Sequence, residues 1–513
     1  MASAAKVIPN LYRDSVSLMQ LSAALAALPG IEQASAIMAT PGNLALLAEA
    51  GLEIGRVAPS PNDLLIAVRG KSPAALEAAL ASAVAELDKQ PPSASGGGPA
   101  QMPLRSLQMA LAASPAANLA LISTPGEYAA AEAMKALRLG LNAMLFSDNV
   151  ELDDEIELKR YAQANDLLVM GPDCGTAIIN GVPLGFANAV RRGAIGVVGA
   201  SGTGTQQVTC LVHRHGAGIS HAIGTGSHDL HKQVGGITML QGIRALAGDK
   251  ATKVIVLVSK PPSPEVARVV LAAAQACGKP VVVNFVGAAP ESIRGRNLHP
   301  ATTLEHAALV AVALSRGRKP PAARAGKPKP VRVPRMARGQ RYVRGLYSGG
   351  TFCYEASALL GASLGEVWSN APVDPQYRLA NVRKSKGHTL VDLGDDEFTR
   401  GRPHPMIDFR LRNERILSEA GDAEVAVILL DVVLGYGAHP DPAAELAPVL
   451  RKAQAAARRK KRNIAFVGFV CGTELDPQGL EAQQETLRAA GMILAGSNAQ
   501  AVRLAASIAG KRR

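Results

Sequence analysis

The stretch AIGVVGASGTGTQQ (194–207) runs from an apolar strand through a loop of small residues into a helix, and YVRGLYSGGTFCYEA (342–356) repeats the pattern. Gly202 and Gly350 lie at matching points, 350 − 202 = 148 residues apart. Similar segments follow in the same order, namely GISHAIGTGSHDL, KVIVLVSK and KPVVVNFVG in the first copy and HTLVDLGDDEF, EVAVILLDVVLG and NIAFVGFVCG in the second. The spacing drifts with insertions, which indicates a duplicated domain and not a short repeat.

Both loops are candidate anion sites. A helix begins with unpaired backbone N–H groups at a positive end, and small residues let an anion approach them. A plain tight turn is the alternative, and neither the P-loop pattern nor the dinucleotide pattern G-x-G-x-x-G is present. We predict that phosphate or CoA contacts Ser201, Gly202, Thr203 and Gly204 in the first loop and Ser348, Gly349, Gly350 and Thr351 in the second.

Two further loops are candidate sites, because open parallel sheets bind ligands where their strands end. GPDCGTA follows an apolar segment and offers Gly171, Pro172, Asp173, Cys174 and Gly175 as phosphate or CoA contacts. The loop LGDDEFTRGRPHPMID (393–408) offers three catalytic candidates, His404 with Asp395 and Asp396. An imidazole can accept an activated group or act as an acid or base when a carboxylate orients it, and a structural loop histidine is the alternative.

The chain divides by composition into several domains. Continuous apolar runs such as VIVLVSK and VAVILLD are typical of strands buried on both faces of a parallel sheet, and the alternation of strands with helices predicts an α/β protein with doubly wound parallel sheets. We predict a small α/β domain, ferredoxin-like or similar, at 1–92, a linker at 93–105, a Rossmann-like domain at 106–192, the first copy at 193–315, a linker at 316–341 and the second copy at 342–513.

The net charge of +13 is concentrated in one segment. Residues 316–344 contain 11 Lys and Arg residues, five prolines and no acid, which is typical of an extended tether. A nucleic-acid arm is the alternative, but aromatic residues make up only 3% of the chain and no recognition motif adjoins the segment. We therefore predict an anionic small-molecule ligand and no nucleic-acid partner.

Cysteine and histidine usage argues against disulfide and metal frameworks. The five cysteines are scattered, which suits a reducing cytosol, and no signal peptide or membrane span is predicted, so we expect a cytoplasmic protein. Five of the ten histidines lie within 213–231, but they form no zinc-binding pattern. We predict no metal-ligating residues among them.

Several segments carry a resemblance to a known family. GPDCGTAI, GVVGASGTGTQQ and IGTGSHDL resemble parts of the succinyl-CoA synthetase α subunit, and LVDLGDDEF with EVAVILLDVVLG resembles the CoA-ligase domain of its β subunit. Together with DSVSLM, LFSDNV, SKPP, GRPHPMID and GTELDP, they resemble the FdrA family over essentially the whole chain. The resemblance implies a Rossmann-like CoA-binding-type domain at 106–192, followed by two flavodoxin-like domains of the succinyl-CoA-synthetase type.

The resemblance also implies functions. FdrA-like proteins are similar to acyl-CoA synthetases, and some resemble subunits of an oxamate carbamoyltransferase that works beside other subunits and a carbamate kinase. The first hypothesis is thus transfer of an activated acyl-type group, most simply carbamoyl from carbamoyl phosphate, with phosphate, CoA and Mg²⁺ as further ligands. An ADP-forming acyl-CoA ligase subunit and an inert metabolite-binding scaffold are the alternatives.

Two departures from the succinyl-CoA synthetase pattern bear on these hypotheses. The phosphohistidine motif G-H-A-G is replaced by GRNLHPAT, which contains His299 without flanking glycines. The ATP-grasp half of the β subunit has no counterpart, so the resemblance implies homo- or hetero-oligomeric partners.

Overall fold

A computed structural model of the protein describes residues 2–13, 15–52, 54–55, 58–88, 104–322, 333, 335–399 and 403–510. Residues 93–103 of the first predicted linker (93–105) lie outside these ranges, as do residues 323–332 and 334 of the second (316–341). The chain divides into two compact units, one formed by residues 1–151 with 396–408 and the other by 152–395 with 409–513. Among the helices within the described ranges, none has the length and apolar character needed to cross a bilayer.

The first unit begins with a small layered α/β domain. Its elements are β1 (Ala2–Ile8), α1 (Ser15–Ala26), β2 (Ile31–Met38), α2 (Pro41–Glu49), β3 (Leu64–Gly70) and α3 (Pro73–Asp88). The strands form an antiparallel sheet in the order β1-β3-β2. Alternate residues of β3 face opposite sides, because strand side chains alternate. Leu64 and Ile66 thus join one core with Leu18, while Leu65 joins another with Leu47.

The rest of this unit continues with a parallel strand pair. Its elements are α4 (Leu107–Ala113), β4 (Leu119–Ile122), α5 (Gly126–Arg138) and β5 (Asn142–Leu145), and β4 pairs with β5 in parallel. Alanines on α5, among them Ala129, Ala133 and Ala136, are fully buried. Their small side chains let the helix pack closely on the strands beside it.

The second unit contains the first copy of the duplicated domain. Its elements are α6 (Leu152–Ala164), β6 (Val169–Met170), β7 (Thr176–Ile179), β8 (Val182–Gly185), β9 (Arg192–Ala200), α7 (Gly202–Arg214), β10 (Ile219–Gly224), α8 (Ile237–Gly248), β11 (Val254–Ser259), α9 (Pro264–Ala276), β12 (Val281–Phe285), β13 (Leu298–Pro300) and α10 (Leu304–Ser315). Seven strands form one sheet in the order β13-β12-β11-β9-β10-β7-β8. The strands from β13 to β10 are parallel, and the β7–β8 hairpin adds two antiparallel strands.

The second copy contributes a six-stranded parallel sheet. Its elements are β14 (Tyr342–Tyr347), α11 (Gly350–Leu364), β15 (Val367–Ser369), β16 (His388–Asp392), α12 (Asp396–Thr399, in the first unit), α13 (Arg410–Gly421), β17 (Val425–Val433), α14 (Pro442–Arg459), β18 (Ala465–Cys471), α15 (Leu480–Ala489), β19 (Met492–Ala495) and α16 (Asn498–Gly510). The strand order is β15-β16-β14-β17-β18-β19. Every residue of β17 is buried, which accounts for its apolar sequence, and Asp431 is its one charged residue.

The strand orders establish which elements correspond. The series β10-β9-β11-β12-β13 matches β16-β14-β17-β18-β19, so β9 with α7 corresponds to β14 with α11. In each copy the strand before the glycine-rich loop lies inside the sheet, and the loop emerges at its carboxyl edge. The predicted α/β class, with parallel sheets after a small N-terminal domain, is confirmed.

The two copies pack against each other through equivalent helices and a buried polar cluster. Helix α7 lies against α11, and α10 against α16. Asp476 accepts hydrogen bonds from the side-chain amide of Asn188 and from the backbone of Ala189, each at 2.8 Å. Its carboxylate also accepts the N–H of Thr473 at 2.8 Å, while the Thr473 hydroxyl donates to the Ala189 carbonyl at 2.6 Å. This carboxylate therefore ties the segment that leads into the first copy to the second copy.

We predict that Asp476→Ala lowers the free energy of unfolding by at least about 3 kcal/mol, because it leaves three donors unpaired at roughly 1–3 kcal/mol each. Asp374→Ala is the matched control, since Asp374 also accepts a backbone N–H and a side-chain amide but lies in an exposed turn. There we expect about 1 kcal/mol or less, because water replaces the lost acceptor. Urea denaturation of both variants measures the difference, and equal losses would contradict the role of Asp476.

Candidate functional site

The two glycine-rich loops meet at one place, which we call the junction. The hydroxyls of Ser201 and Thr351, from the two copies, share a hydrogen bond of 2.6 Å. A Cβ atom added at Gly349 would lie 2.7 Å from the methyl group of Thr203, so only glycine permits this approach. The predicted contacts 201–204 and 348–351 thus belong to a single site.

The beginning of α7 has the features of an open anion site. Ser201 caps the helix, and its hydroxyl accepts the N–H of Gly204 at 2.9 Å. The N–H groups of Gly202 and Thr203 come first in the helix and have no partner within it. A Cβ added at Gly202 would meet Thr176 Oγ1 at 3.6 Å, an ordinary contact, so there is room beside this residue.

Thr176 supplies an independent sign that a ligand binds there. The residue is only 2% exposed, and its hydroxyl has no hydrogen-bond partner among the described residues. A buried polar group without a partner costs free energy, and native proteins pair almost all such groups. A phosphate or carboxylate oxygen beside Gly202 would accept hydrogen bonds from both the hydroxyl and the free N–H groups.

The beginning of α11 already holds an anion, the carboxylate of Asp431. It accepts the N–H and the hydroxyl of Ser348 at 2.9 and 2.8 Å, and the N–H of Gly349 at 3.0 Å. Arg412 donates to the same carboxylate at 2.9 Å, and both side chains of this ion pair are almost fully buried. Burial raises the pKa of Asp431 and lowers that of Arg412, so their mutual pairing offsets a substantial desolvation cost.

The strand registers show that the copies differ at this position. Leu346 of β14 pairs with Leu430 of β17, which puts Asp431 level with the last residue before the second loop. In the first copy, Gly199 of β9 matches Tyr347 and pairs with Val258 of β11. Val258 therefore stands where the second copy has Asp431, and the first loop faces an uncharged side chain. The α7 end is thus free for an external anion, whereas the α11 end is filled from within.

A second carboxylate, Asp392, lies at the junction. It ends β16 and is 6% exposed, and its Oδ1 accepts the N–H of Gly394 at 3.0 Å. A Cβ added at Gly350 would collide with Asp392 Oδ2 and would lie 3.6 Å from Lys260 Nζ. Burial raises the pKa of Asp392 to about 6, and the positive charge of Lys260 counteracts part of that rise.

Sequence reasoning missed Asp392, Asp431, Lys260 and Thr176. Their positions along the strands could have indicated three of them. Asp392 ends β16, Asp431 is the third residue from the end of β17, and Lys260 directly follows β11. Parallel sheets present such positions at their ligand-binding edge. The prediction took Asp395 and Asp396 instead, which follow the same strand by three and four residues, because they lie near His404 in the sequence.

The predicted loop 171–175 approaches the first copy of the duplication. A Cβ added at Gly226 would collide with the carbonyl of Pro172, and the buried Cys174 thiol donates weakly to the carbonyls of Thr176 and Gly224. Burial raises the pKa of Cys174 to about 12, so the thiol is protonated and is not a nucleophile. Gly171 and Asp173 have positive φ angles of 102° and 55°, and Gly175 leads into β7. The loop thereby positions Thr176 beside Gly202.

The three predicted catalytic residues are divided between the two units. His404 and Asp396 lie in the first unit and Asp395 in the second. His404 Nδ1 accepts the N–H of Met406 at 3.2 Å, which leaves the proton of a neutral ring on Nε2. Asp396 begins α12, and its charge contributes to the raised pKa of Asp148, for which burial is the main cause. Roles for these three residues remain a prediction.

Comparisons with protein-family models match three segments of the chain. Residues 346–508 match the CoA-ligase family and 190–287 match the CoA binding domain. Residues 1–103 match the domain described as AllF, heavy metal-associated domain. The CoA-binding match contains the start of α7, where the N–H groups and Thr176 fit a phosphate group of the kind that CoA carries. The predicted CoA-binding-type domain, 106–192, lies outside the CoA-binding match except for its last three residues.

The N-terminal segment lacks the ligands that a heavy-metal site ordinarily uses. Soft metals prefer cysteine, histidine and methionine side chains. The first cysteine of the chain is Cys174 and the first histidine is His213, so the matched segment offers only methionines such as Met19 and Met38, and Met38 is buried in the hydrophobic core. In the part of the chain that the structure describes, no group of three or more His, Cys, Asp and Glu residues could hold a metal ion. The segment thus matches the family model although it contains no cysteine or histidine.

The chain is similar to several known proteins. It is 44% identical to Uncharacterized protein YahF of Escherichia coli (strain K12) over 494 residues, which is 96% of this chain and 95% of that protein. It is 28% identical to the Succinate–CoA ligase [ADP-forming] subunit alpha of Aquifex aeolicus over 28% of this chain and 48% of that protein.

Among solved structures, a dinucleotide-forming Acetyl-coenzyme A synthetase 1 of Ca. Korarchaeum cryptofilum is 14% identical, with a TM-score of 0.32, and the alignment covers 76% of this chain and 82% of that chain. The YahF match spans almost the whole of both proteins. The chain therefore belongs to the family of YahF, and segments of it match the CoA binding domain and the CoA-ligase family.

Proposed function

We propose that the chain is an enzyme subunit of the ADP-forming acyl-CoA ligase class, which binds an acyl phosphate at the junction and transfers its acyl group. One observation carries the proposal: the meeting of two helix beginnings, of which one is filled by Asp431 and the other, at Gly202, is open. Fixed N–H groups that face an anion need no reorganisation as charge develops, which is the most effective electrostatic contribution to acyl and phosphoryl transfer.

The surroundings of the junction suit such a ligand. Lys260 is exposed and adds a positive charge near the beginning of α11. The hydroxyls of Thr176 and Ser201 add neutral donors on the α7 side, so a dianion would meet donors from several directions. CoA would supply the acyl acceptor in the ligase reaction, and other subunits would supply the ATP chemistry. Mg²⁺ bound with the phosphate remains a prediction from the resemblance.

The position of His299 favours carbamoyl transfer as a second candidate function. His299 lies on β13 and pairs with Val282 of β12. Three strand spacings separate β13 from β9, which leads into the first loop, so about 14 Å lie between them across the sheet. Burial lowers the pKa of His299 and favours the neutral ring. If His299 does not accept a phosphoryl group, the reaction would use a ready-made acyl phosphate, of which carbamoyl phosphate is the simplest nitrogen-containing case.

We predict that Gly202→Val weakens the binding of inorganic phosphate at least about tenfold, because the side chain covers the free N–H groups and charge-assisted hydrogen bonds are lost. The melting temperature should change little, since an added Cβ meets only Thr176 at 3.6 Å. Gly361→Ala is the control, because a Cβ at Gly361 meets no atom within 4 Å and lies away from the loop. Calorimetric titration of the three proteins measures the effect, and wild-type affinity in Gly202→Val would place the anion elsewhere.

Competition experiments distinguish the two candidate functions. Carbamoyl phosphate should displace phosphate from the full-length chain, and Gly202→Val should weaken both to the same degree. If CoA binds and carbamoyl phosphate does not, ligase chemistry is the better account and carbamoyl transfer is refuted. Failure of both to bind, with wild-type phosphate affinity, would favour the scaffold alternative.

We also predict that His404→Ala lowers turnover by ~10²–10⁴, the usual cost of losing an acid, base or acceptor group. His404 lies between two prolines that stiffen its loop, and its Nδ1 accepts the Met406 N–H, so the proton of a neutral ring is on Nε2. His299→Ala is the comparison and should cost much less, because His299 lies on a strand at the edge of the sheet. Rates are measured in the complex reconstituted with partner subunits. The reverse ranking would contradict both assignments.

A further inference from the structure

We propose that Asp392 is the proton-holding group of the junction: it takes up a proton when a dianion binds beside Gly202 and passes that proton to the departing phosphate. The inference rests on the proposed function, because it assumes that the junction is the anion site. Nothing in the sequence motifs or in the matched families assigns a role to this residue.

The first argument compares the two carboxylates near α11. Asp431 is neutralised by Arg412 and accepts bonds from Ser348 and Gly349, so its charge is fully compensated within the fold. Asp392 has no arginine among its hydrogen-bond partners in the described ranges; its Oδ1 accepts one backbone N–H, from Gly394. Its Oδ2 faces the backbone at Gly350, the first residue of α11. The two carboxylates therefore have different tasks, one structural and one available for proton exchange.

The second argument concerns charge. The ionisable groups that face Asp392 are Lys260 after β11, Cys353 on α11, Asp395 in its own loop and Asp431 on β17. Burial is the main reason that the pKa of Asp392 is about 6. A dianion at the junction would repel the ionised carboxylate and raise this pKa further. At neutral pH, binding would then draw a proton onto Asp392.

The third argument is chemical. In the transfer step the acceptor's X–H bond breaks and a bond from X to the acyl carbon forms, while the bond from that carbon to the phosphate oxygen breaks. The departing phosphate oxygen takes the proton of Asp392, so it leaves as hydrogen phosphate and not as the trianion. The acceptor's proton then restores Asp392. Lys260 stays protonated and compensates charge throughout.

Sulfate tests the proposal, since it remains a dianion between about pH 5 and pH 8 whereas phosphate titrates in this range. Asp392 is ionised above pH 6, so we expect wild-type sulfate affinity to fall as pH rises through about 6, by up to tenfold per pH unit. Calorimetry in buffers of different ionisation enthalpy should show proton uptake. Asp392→Asn should bind sulfate without uptake and with little pH dependence.

Lys260→Ala provides a second variant that does not depend on how Asp392→Asn folds, because Lys260 is exposed. Lys260 lowers the pKa of Asp392, so its removal should move the midpoint of the pH dependence upward. Unchanged proton uptake in Asp392→Asn, or an unmoved midpoint in Lys260→Ala, would overturn the proposal. Wild-type protein that binds no sulfate at any pH would instead refute the anion site itself.

Discussion

The buried carboxylate of Asp431 at the beginning of α11 is the interaction on which the junction depends. Its bonds to Ser348, Gly349 and Arg412 join β14, α11, α13 and β17 at one point. Removing one partner of such a pair leaves an uncompensated charge in a low-dielectric interior, which is far more costly than the pair's net contribution to stability. This explains why a buried arginine accompanies the aspartate.

Because the Asp431 carboxylate occupies the beginning of α11, it also determines where an external ligand can bind. The two copies present the same strand–loop–helix element, so in a symmetric pair each would offer an anion site. With Asp431 in place, an external anion at α11 would meet a carboxylate where it needs donors. Val258 at the equivalent position carries no charge, and the donors at Gly202 stay available. This one difference in charge between the copies therefore leaves one open anion site, at Gly202, beside a helix end that Asp431 fills.

The fold followed from the sequence where the signal is local. Continuous apolar runs marked β11, β12 and β17, and the glycine-rich loops fell where their strands meet α7 and α11. The contact between Ser201 and Thr351 could not be predicted, because these residues are 150 positions apart in the sequence and meet only through the packing of the two copies. Asp395 and Asp396 were predicted because they lie near His404 in the sequence, yet the carboxylate that contacts the backbone at Gly350 belongs to Asp392. Strand periodicity shows that a residue ends a strand, but not which neighbouring element covers it.

The glycines of the second loop have a different role from those of the first. A side chain at Gly349 would collide with Thr203, so this glycine is required for the two copies to approach each other, whereas a side chain at Gly350 would collide with Asp392 within the second copy. Gly202 has open space beside it, so glycine there is not needed for packing and is explained by the approach of a ligand. A glycine that packing does not require is a stronger sign of function than one that packing requires. On this reasoning the first copy supplies the N–H groups at Gly202 that would bind the anion, and the second copy supplies the carboxylates of Asp392 and Asp431 beside it.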